Sequence, residues 1–372
     1  MAAIRIYLIG KGLSLSYRLP IMEVTDPDGA AHSPPHPSMN TSTSRDRLWR
    51  KRLSELSAVW PDFVSGQTSG LHKTRVASRR IREALPIVGA SASPSKVKKL
   101  NKKMRALTRS LGPLRELDVE LGILEDKSKT EGAPGRAIEM VRREVASRRQ
   151  ALREELADNA PVTDLKKLLR KLERISEKRT SGKRRGAKAK GQRAEGKGQK
   201  GKSDTEAYWR GVLATRLMRR AKGLATALED AGPIYVPERL HDVRISTKKL
   251  RYALEIARDA GVMAATPLVR LLKRHQERLG DLHDLQMLLK HVRETEALPG
   301  VGSRVNDLTA YADSLDRECR RLHADFVEHR AEIVSVVKDV RHQVVPSLTT
   351  PPRRQAHVTG ARRPSVRPRH AK

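Results

Sequence analysis

Two short stretches of this chain carry the residues best placed to do chemistry. In the first, His72, Arg75, Arg79 and Arg82 recur at steps of three and four. In the second, His241, Arg244, Lys248 and Arg251 recur in the same order and spacing. On a helix such spacing draws one row with a cation at every turn. A row of this kind suits a repeating anion, because each guanidinium can grip two oxygens of a phosphate or carboxylate at once. The leading histidine adds a donor that gains charge as pH falls. The bland alternative for the histidines is a helix-start residue bonded to backbone. The bland alternative for the rows is a solvated face, which would lie across the helix from the core. Here the apolar rows are Leu71, Thr74, Ser78, Ile81 and Leu85, and Leu240, Val243, Thr247, Leu250 and Leu254. At roughly 100° per residue each apolar row neighbours its basic row, so the cations should look partly into a groove.

The elements around these rows repeat as well. A helical pattern over residues 45–66 carries Leu48, Leu53, Leu56 and Val59, and Trp60-Pro61 should close or kink it. The first His/Arg helix, 71–85, follows and ends by Gly89 to Pro94. A third helix starts near Ser95 as N-cap. It buries Leu100, Met104, Leu107 and Leu111, and shows a basic row of Lys99, Lys102, Arg105 and Arg109. The stretch Leu111-Gly112-Pro113-Leu114-Arg115-Glu116 breaks it and opens another helix through Leu124, and residues 136–176 read as a long charged helix. The second half restarts at Tyr208-Trp209 with a helix to about Asp230, then the His241 helix. A helix over 267–279 sets Leu268, Leu272 and Leu279 at the offsets of Leu100, Met104 and Leu111, with Arg270 and Lys273 in the places of Lys102 and Arg105. Leu279-Gly280-Asp281-Leu282-His283-Asp284 repeats the break, and a last helix spans 303–343. The fold class is therefore all-α: two four-helix-like halves, 45–177 and 205–343, facing each other and joined by a linker.

Between the halves, residues 178–204 hold Lys, Arg and Gly with no large apolar side chain, and read as a flexible basic linker. Residues 1–44 and 344–372 read as disordered. Formal net charge is +33 over 372 residues. The linker carries +9 and the tail from Pro351 carries +7, which leaves +17 on the rest, so the folded part is basic in its own right. Such a chain should meet polyanions: nucleic acid, acidic lipid or polyphosphate. Aromatic residues make up only 3%, which counts against base-stacking platforms. Cys319 is the single cysteine, so no intrachain disulfide forms and a reducing cytoplasm is the expected location. No apolar stretch approaches the roughly 18 residues of a membrane span, so no membrane insertion is expected.

These paired motifs resemble the CHAD family, the conserved histidine α-helical domain. The marks are Leu71-His72 with Arg75-Val76 and Arg79-Arg80-Ile81-Arg82, Leu240-His241 with Arg244-Ile245 and Lys248-Lys249-Leu250-Arg251, and the two Leu-Gly turns. The likeness runs over roughly 45–343 without the linker. Glu116 stands in the first turn where the family commonly has Asp, and His283 in the second where it commonly has Arg. No Glu-x-Glu-x-Lys strand of a triphosphate-hydrolysing CYTH domain precedes the motifs, so a stand-alone member is expected. The resemblance implies two helical bundles around a basic channel, binding of inorganic polyphosphate, and association with polyphosphate granules. The binding residues it implies are His72, Arg75, Arg79, Arg82, His241, Arg244, Lys248 and Arg251, with Lys102, Arg105, Arg270 and Lys273 beside them.

Other chemistry finds little support. His275 sits at the offset of the core position Leu107 and reads as a buried, satisfied histidine. His283 and His291 share a helix without a converging metal set. Glu116, Asp118, Asp281 and Asp284 read as residues that orient arginines or cap helices rather than as an acid/base pair. Gly201-Lys202-Ser203 imitates the end of a phosphate-binding loop but lacks the strand and glycines before it. The expectation is thus a binding protein rather than an enzyme, with no cofactor and no metal. Nucleic acid is the rival partner, held by the linker and tail. The pattern sets no oligomeric state.

Overall fold

The computed structural model describes residues 43–158, 165–177 and 195–349. The regular elements among them are helical, with no strand. The segments read as disordered at 1–42 and 350–372, and most of the linker, lie outside the described residues. The first half comprises α1 (Ser44–Val64), α2 (Thr68–Val88), α3 (Pro94–Ser110), α4 (Gly112–Ser128), α5 (Gly135–Asp158) and α6 (Leu165–Glu177). The second comprises α7 (Glu195–Ala231), α8 (Pro237–Asp259), α9 (Ala265–Glu296), α10 (Val305–Glu328), α11 (Arg330–Asp339) and α12 (Val345–Thr349).

The repeat is visible in the packing. α1 lies along α2 as α7 lies along α8, and α6 covers α1 as α11 and α12 cover α7. The halves meet where α2 crosses to α8 and α4 and α5 reach α9. Both apolar rows are buried as their spacing requires: Leu71, Thr74, Ser78, Ile81 and Leu85 on α2, and Leu240, Val243, Thr247, Leu250 and Leu254 on α8. Trp49 is fully buried and donates from Nε1 to the Leu172 carbonyl at 3.0 Å, tying α1 to α6. Cys319 is buried in the common core, as its apolar neighbours suggest. Gly70 lets α2 start against the end of α1, since a Cβ there would meet the Asp62 and Phe63 backbone at 2.4 Å. α8 closes on Gly261 in the left-handed region, with the Val262 N–H donating to the Ala257 carbonyl at 3.0 Å.

Several boundaries differ from the sequence reading. α1 continues through Pro61 to Val64. A proline in the last turn removes one hydrogen bond, and its own carbonyl is taken up by the Ser65 N–H at 2.9 Å. The 136–176 helix is two helices, α5 and α6. α7 begins at Glu195, nine residues inside the segment read as linker. The second Leu-Gly stretch is no break, because α9 runs unbroken through Gly280. Pro113 has no N–H for the Arg109 carbonyl, so α3 and α4 separate at Leu111, whereas Asp281 in the same place can donate. The last helix is interrupted at His329, whose ring Nδ1 bonds the Asp325 carbonyl at 2.8 Å and competes for a helical acceptor. A wide turn over Val340–Val344 then leads into α12, so residues 344–349 are helical rather than tail, with Val344 and Leu348 buried.

Candidate functional site

α2 and α8 place their basic rows where the halves meet, and a cleft of about 550 Å³ opens there. α2 contributes Arg75, Arg79, Arg82 and Glu83; α3 contributes Asn101, Arg105, Thr108 and Arg109; α4 contributes Gly112, Pro113 and Glu116. α7 adds Arg216 and Arg220, and α8 adds Ile245, Lys248, Lys249 and Tyr252. Nine cationic side chains thus line the cleft against two carboxylates, those of Glu83 and Glu116.

The cations are held by packing rather than by neutralising partners. Arg75 is 8% exposed and reaches only the Thr108 carbonyl, at 3.5 Å, while Thr108 Oγ1 and Ser78 Oγ share a hydrogen bond at 3.0 Å beneath it. Gly112 makes the room: a Cβ there would stand 3.0 Å from Arg75 Nη1. Among the described residues, Arg75, Arg79, Arg82 and Lys248 form no ion pair. The buried Nε atoms of Arg82 and Arg244 have no hydrogen-bond acceptor at all, and an unsatisfied buried donor costs roughly 1–3 kcal/mol. Glu83 is the exception. It accepts from Arg216 (2.6 and 3.0 Å) and from Arg220 (3.0 and 2.7 Å), a double fork that fixes both α7 guanidiniums at the cleft wall. Burial alone would raise the Glu83 carboxyl, but the Arg220 and Arg216 hydrogen bonds outweigh it and hold it below its ordinary range.

Crowding shows in the proton affinities. Burial, then the charges of Arg244 and Arg79, push the Lys248 ammonium down to about 6. Burial and Arg79 bring Arg75 down to about 10. Arg82 is lowered by burial and Arg105, and Arg244 by burial against the pull of Asp284. Burial is the first cause of each shift and neighbouring cations add to it in Lys248, Arg75 and Arg82, so an anion in the cleft would favour their charged forms.

The expected site residues are only partly gathered. Arg75, Arg79, Arg82, Arg105 and Lys248 line the cleft. His72 does not line the cleft, but its ring is lowered by partial burial and then by the charges of Arg115, Arg75, Arg79 and Lys248. Arg244 lies one turn before Lys248 and reaches Asp284 at 3.7 Å. His241 faces a second cavity, with its ring 4.9 Å from that of His283. Burial followed by Arg244 pushes His283 down to about 3. Lys102 is exposed on α3 and does not line the cleft. Arg251 is committed elsewhere, to Glu255 at 2.6 Å and Gln276 at 2.8 Å. Arg270 is exposed and Lys273 pairs with Glu277 at 3.4 Å, both away from the cleft. His275 is buried and bonded to Glu332 at 3.0 Å, as its core offset implies. The spacing argument missed Arg216, Arg220 and Lys249. The signal for the first two was Glu83, a lone acid beside the apolar row of α2 that had to be paired from elsewhere.

Compared with known proteins, the chain matches the family model of the CHAD domain over residues 47–293. It belongs to the CHAD family. A crystal structure of the CHAD domain from the plant Ricinus communis superposes with a TM-score of 0.51 at 18% identity, covering 80% of this chain and 91% of that one. PptA from Streptomyces chartreusis is similar at a TM-score of 0.46 and 14% identity, covering 81% and 97%. The search of curated proteins gave no match. The Ricinus likeness agrees with the all-α fold, and the matched CHAD region holds both basic rows and both Leu-Gly stretches. No helix among the described residues is long and apolar enough to cross a membrane.

Proposed function

We propose that this CHAD protein binds inorganic polyphosphate in the cleft between α2, α3, α7 and α8, without catalysis, and does so at polyphosphate granules in the cytoplasm. The observation that carries the reading is a set of basic side chains without ion pairs, the buried Arg75 and Lys248 and the half-buried Arg79 and Arg82, converging on one cleft from facing helices. Polyphosphate offers what they lack, a flexible line of charged oxygens with no bulky groups. Each charge-assisted contact should contribute about 1.5–3 kcal/mol. Counterion release should make binding weaken steeply with salt, as for other polyanions. Nucleic acid is the rival, held by the linker and tail. Against it as an occupant of the cleft stands its lining, where Tyr252 is the one aromatic residue among the described ones.

The test is competition. Labelled long-chain polyphosphate bound to the full protein is challenged with duplex DNA at physiological salt, for the native chain and for Arg75→Ala/Arg79→Ala/Arg244→Ala/Lys248→Ala. Polyphosphate should resist DNA and the variant should lose it, while chain length stays unchanged on long incubation. Equal competition by DNA, with binding lost on removing 178–194 and 351–372 but kept in the variant, would move the binding element to the linker and tail.

A further inference from the structure

One group in the cleft can do more than bind an anion. Lys248 is 9% exposed, and its side chain lines the cleft together with Arg75, Arg79 and Arg82. Arg244 precedes it by one turn on α8. Among the described residues its amine has no carboxylate partner, and the acid whose charge reaches it, Asp284, is drawn to Arg244 at 3.7 Å. A lysine desolvated beside other cations is the standard way to make an amine nucleophilic.

We propose that Lys248 is a modification site: its amine accepts the acyl group of a small acyl phosphate, held in the cleft by its phosphate on the surrounding guanidiniums. The amine lone pair attacks the carbonyl carbon, a C–N bond forms, and the C–O bond to phosphate breaks. Phosphate leaves with the bonding pair, and the proton lost from nitrogen passes to the departing phosphate or to water. Arg79 and Arg82 are positioned to hold the phosphate before transfer and to stabilise it as it departs. The electrostatics agree with the geometry. Burial, then Arg244, Arg79 and Arg75, outweigh Asp284 and bring the group down to about 6, so at neutral pH the amine is largely uncharged. The product is a neutral amide where a polyanion would have met an ammonium. Acylation and polyanion binding therefore exclude each other, a consequence that rests on the polyphosphate reading, whereas the acylation itself does not.

The experiment treats the full chain with acetyl phosphate and follows acetylation of each lysine by mass spectrometry. At about pH 7, Lys248 should react about tenfold faster than the exposed Lys102, because the cleft holds the donor's phosphate beside a largely uncharged amine. Its rate should level off above about pH 7. Arg79→Ala, shown folded by its thermal melt, should slow Lys248 and leave Lys102 unchanged. N-acetoxysuccinimide, which carries no phosphate, should show a smaller preference for Lys248. Reaction at Lys248 no faster than at Lys102 would overturn the proposal, and equal preference with both donors would overturn the role of the guanidiniums. Polyphosphate should protect Lys248, and Lys249 beside it in the cleft, but not Lys102. Fast acetylation without protection would keep this inference and remove polyphosphate from the cleft. Slow acetylation with tight polyphosphate binding would do the reverse.

Discussion

The two halves of the molecule carry the same row and put it to different uses. On α2 of the first half, Arg75, Arg79 and Arg82 stand unpaired against a cleft. On α8 of the second half, the counterpart of Arg82 is Arg251, closed off by Glu255 and Gln276. The neighbouring helices diverge in the same sense. Arg105 and Arg109 of α3 face the cleft, while at their offsets α9 carries Lys273 and Glu277, which pair with each other at 3.4 Å. Gly112 leaves space for Arg75, whereas nothing lies within 4 Å of a Cβ placed at Gly280. Even the buried acids differ. Glu83 anchors two arginines that remain at the cleft wall, and Glu255 binds Arg251 and, at 3.0 Å, Arg80. Duplication gives two scaffolds, but carboxylates at a few offsets decide which row stays available to a ligand.

The acids offer the largest test of that contrast. Glu83→Ala leaves the Arg216 and Arg220 guanidiniums uncompensated, and should cost about 3–5 kcal/mol of unfolding free energy, read by denaturant melts. Glu255→Ala should cost a similar amount, since it strands Arg251 and Arg80. Added polyphosphate should restore more of the loss in Glu83→Ala, because only its freed guanidiniums line the cleft. Equal rescue of both would erase the distinction between the halves.

Protonation gives the next effect. Burial first, then Arg244, brings Lys248 down to about 6, and a bound anion must raise it. Binding then takes up a proton at neutral pH, and affinity should fall as pH rises above about 6, by up to about tenfold per unit. Below that value Lys248 is charged in both states and adds no further dependence. Calorimetry in two buffers of different ionisation enthalpy reads the uptake directly, and Lys248→Arg should remove it while keeping the binding. A flat profile for the native chain would mean that the ligand never meets the amine.

The smallest effects belong to the glycines. Gly112→Ala should weaken polyphosphate binding by a factor of about three to ten, because the new methyl shifts the Arg75 guanidinium and weakens its contact without abolishing it. Stability should change little, since only the end of a flexible side chain must move. Gly280→Ala should leave binding unchanged and stabilise α9 by about 0.5–1 kcal/mol, as for any glycine inside a helix.

Much of this contrast was legible in the residue spacing, and some of it was not. The adjacency of apolar and basic rows follows from helical geometry, and it located Arg75, Arg79 and Lys248 at a partly buried edge. The pairing of Leu268, Leu272 and Leu279 with Leu100, Met104 and Leu111 gave the offsets on which the comparison rests. Spacing treats the two halves as equivalent, however, and the difference lies in partners distant in sequence or on the neighbouring turn. Glu255 lies four residues beyond Arg251 and could have been weighed as its partner. Arg216 and Arg220 could not be assigned to Glu83, because only tertiary packing brings α7 to α2. The unbroken α9 turned on one residue, Asp281 in place of Pro113.

The most direct test of the central claim compares two double variants that each remove two basic side chains, one pair from the cleft and one from outside it. Arg79→Ala/Lys248→Ala strips the open cleft, and Arg270→Ala/Lys273→Ala strips the surface of α9. Polyphosphate affinity is measured by calorimetry on both full-length proteins at one salt concentration. The account gives a loss of about 100-fold or more for the first, from two charge-assisted contacts, and less than about twofold for the second, from exposed charges. Equal losses would show that net charge alone attracts the polyanion and that the cleft between α2 and α8 is not its site.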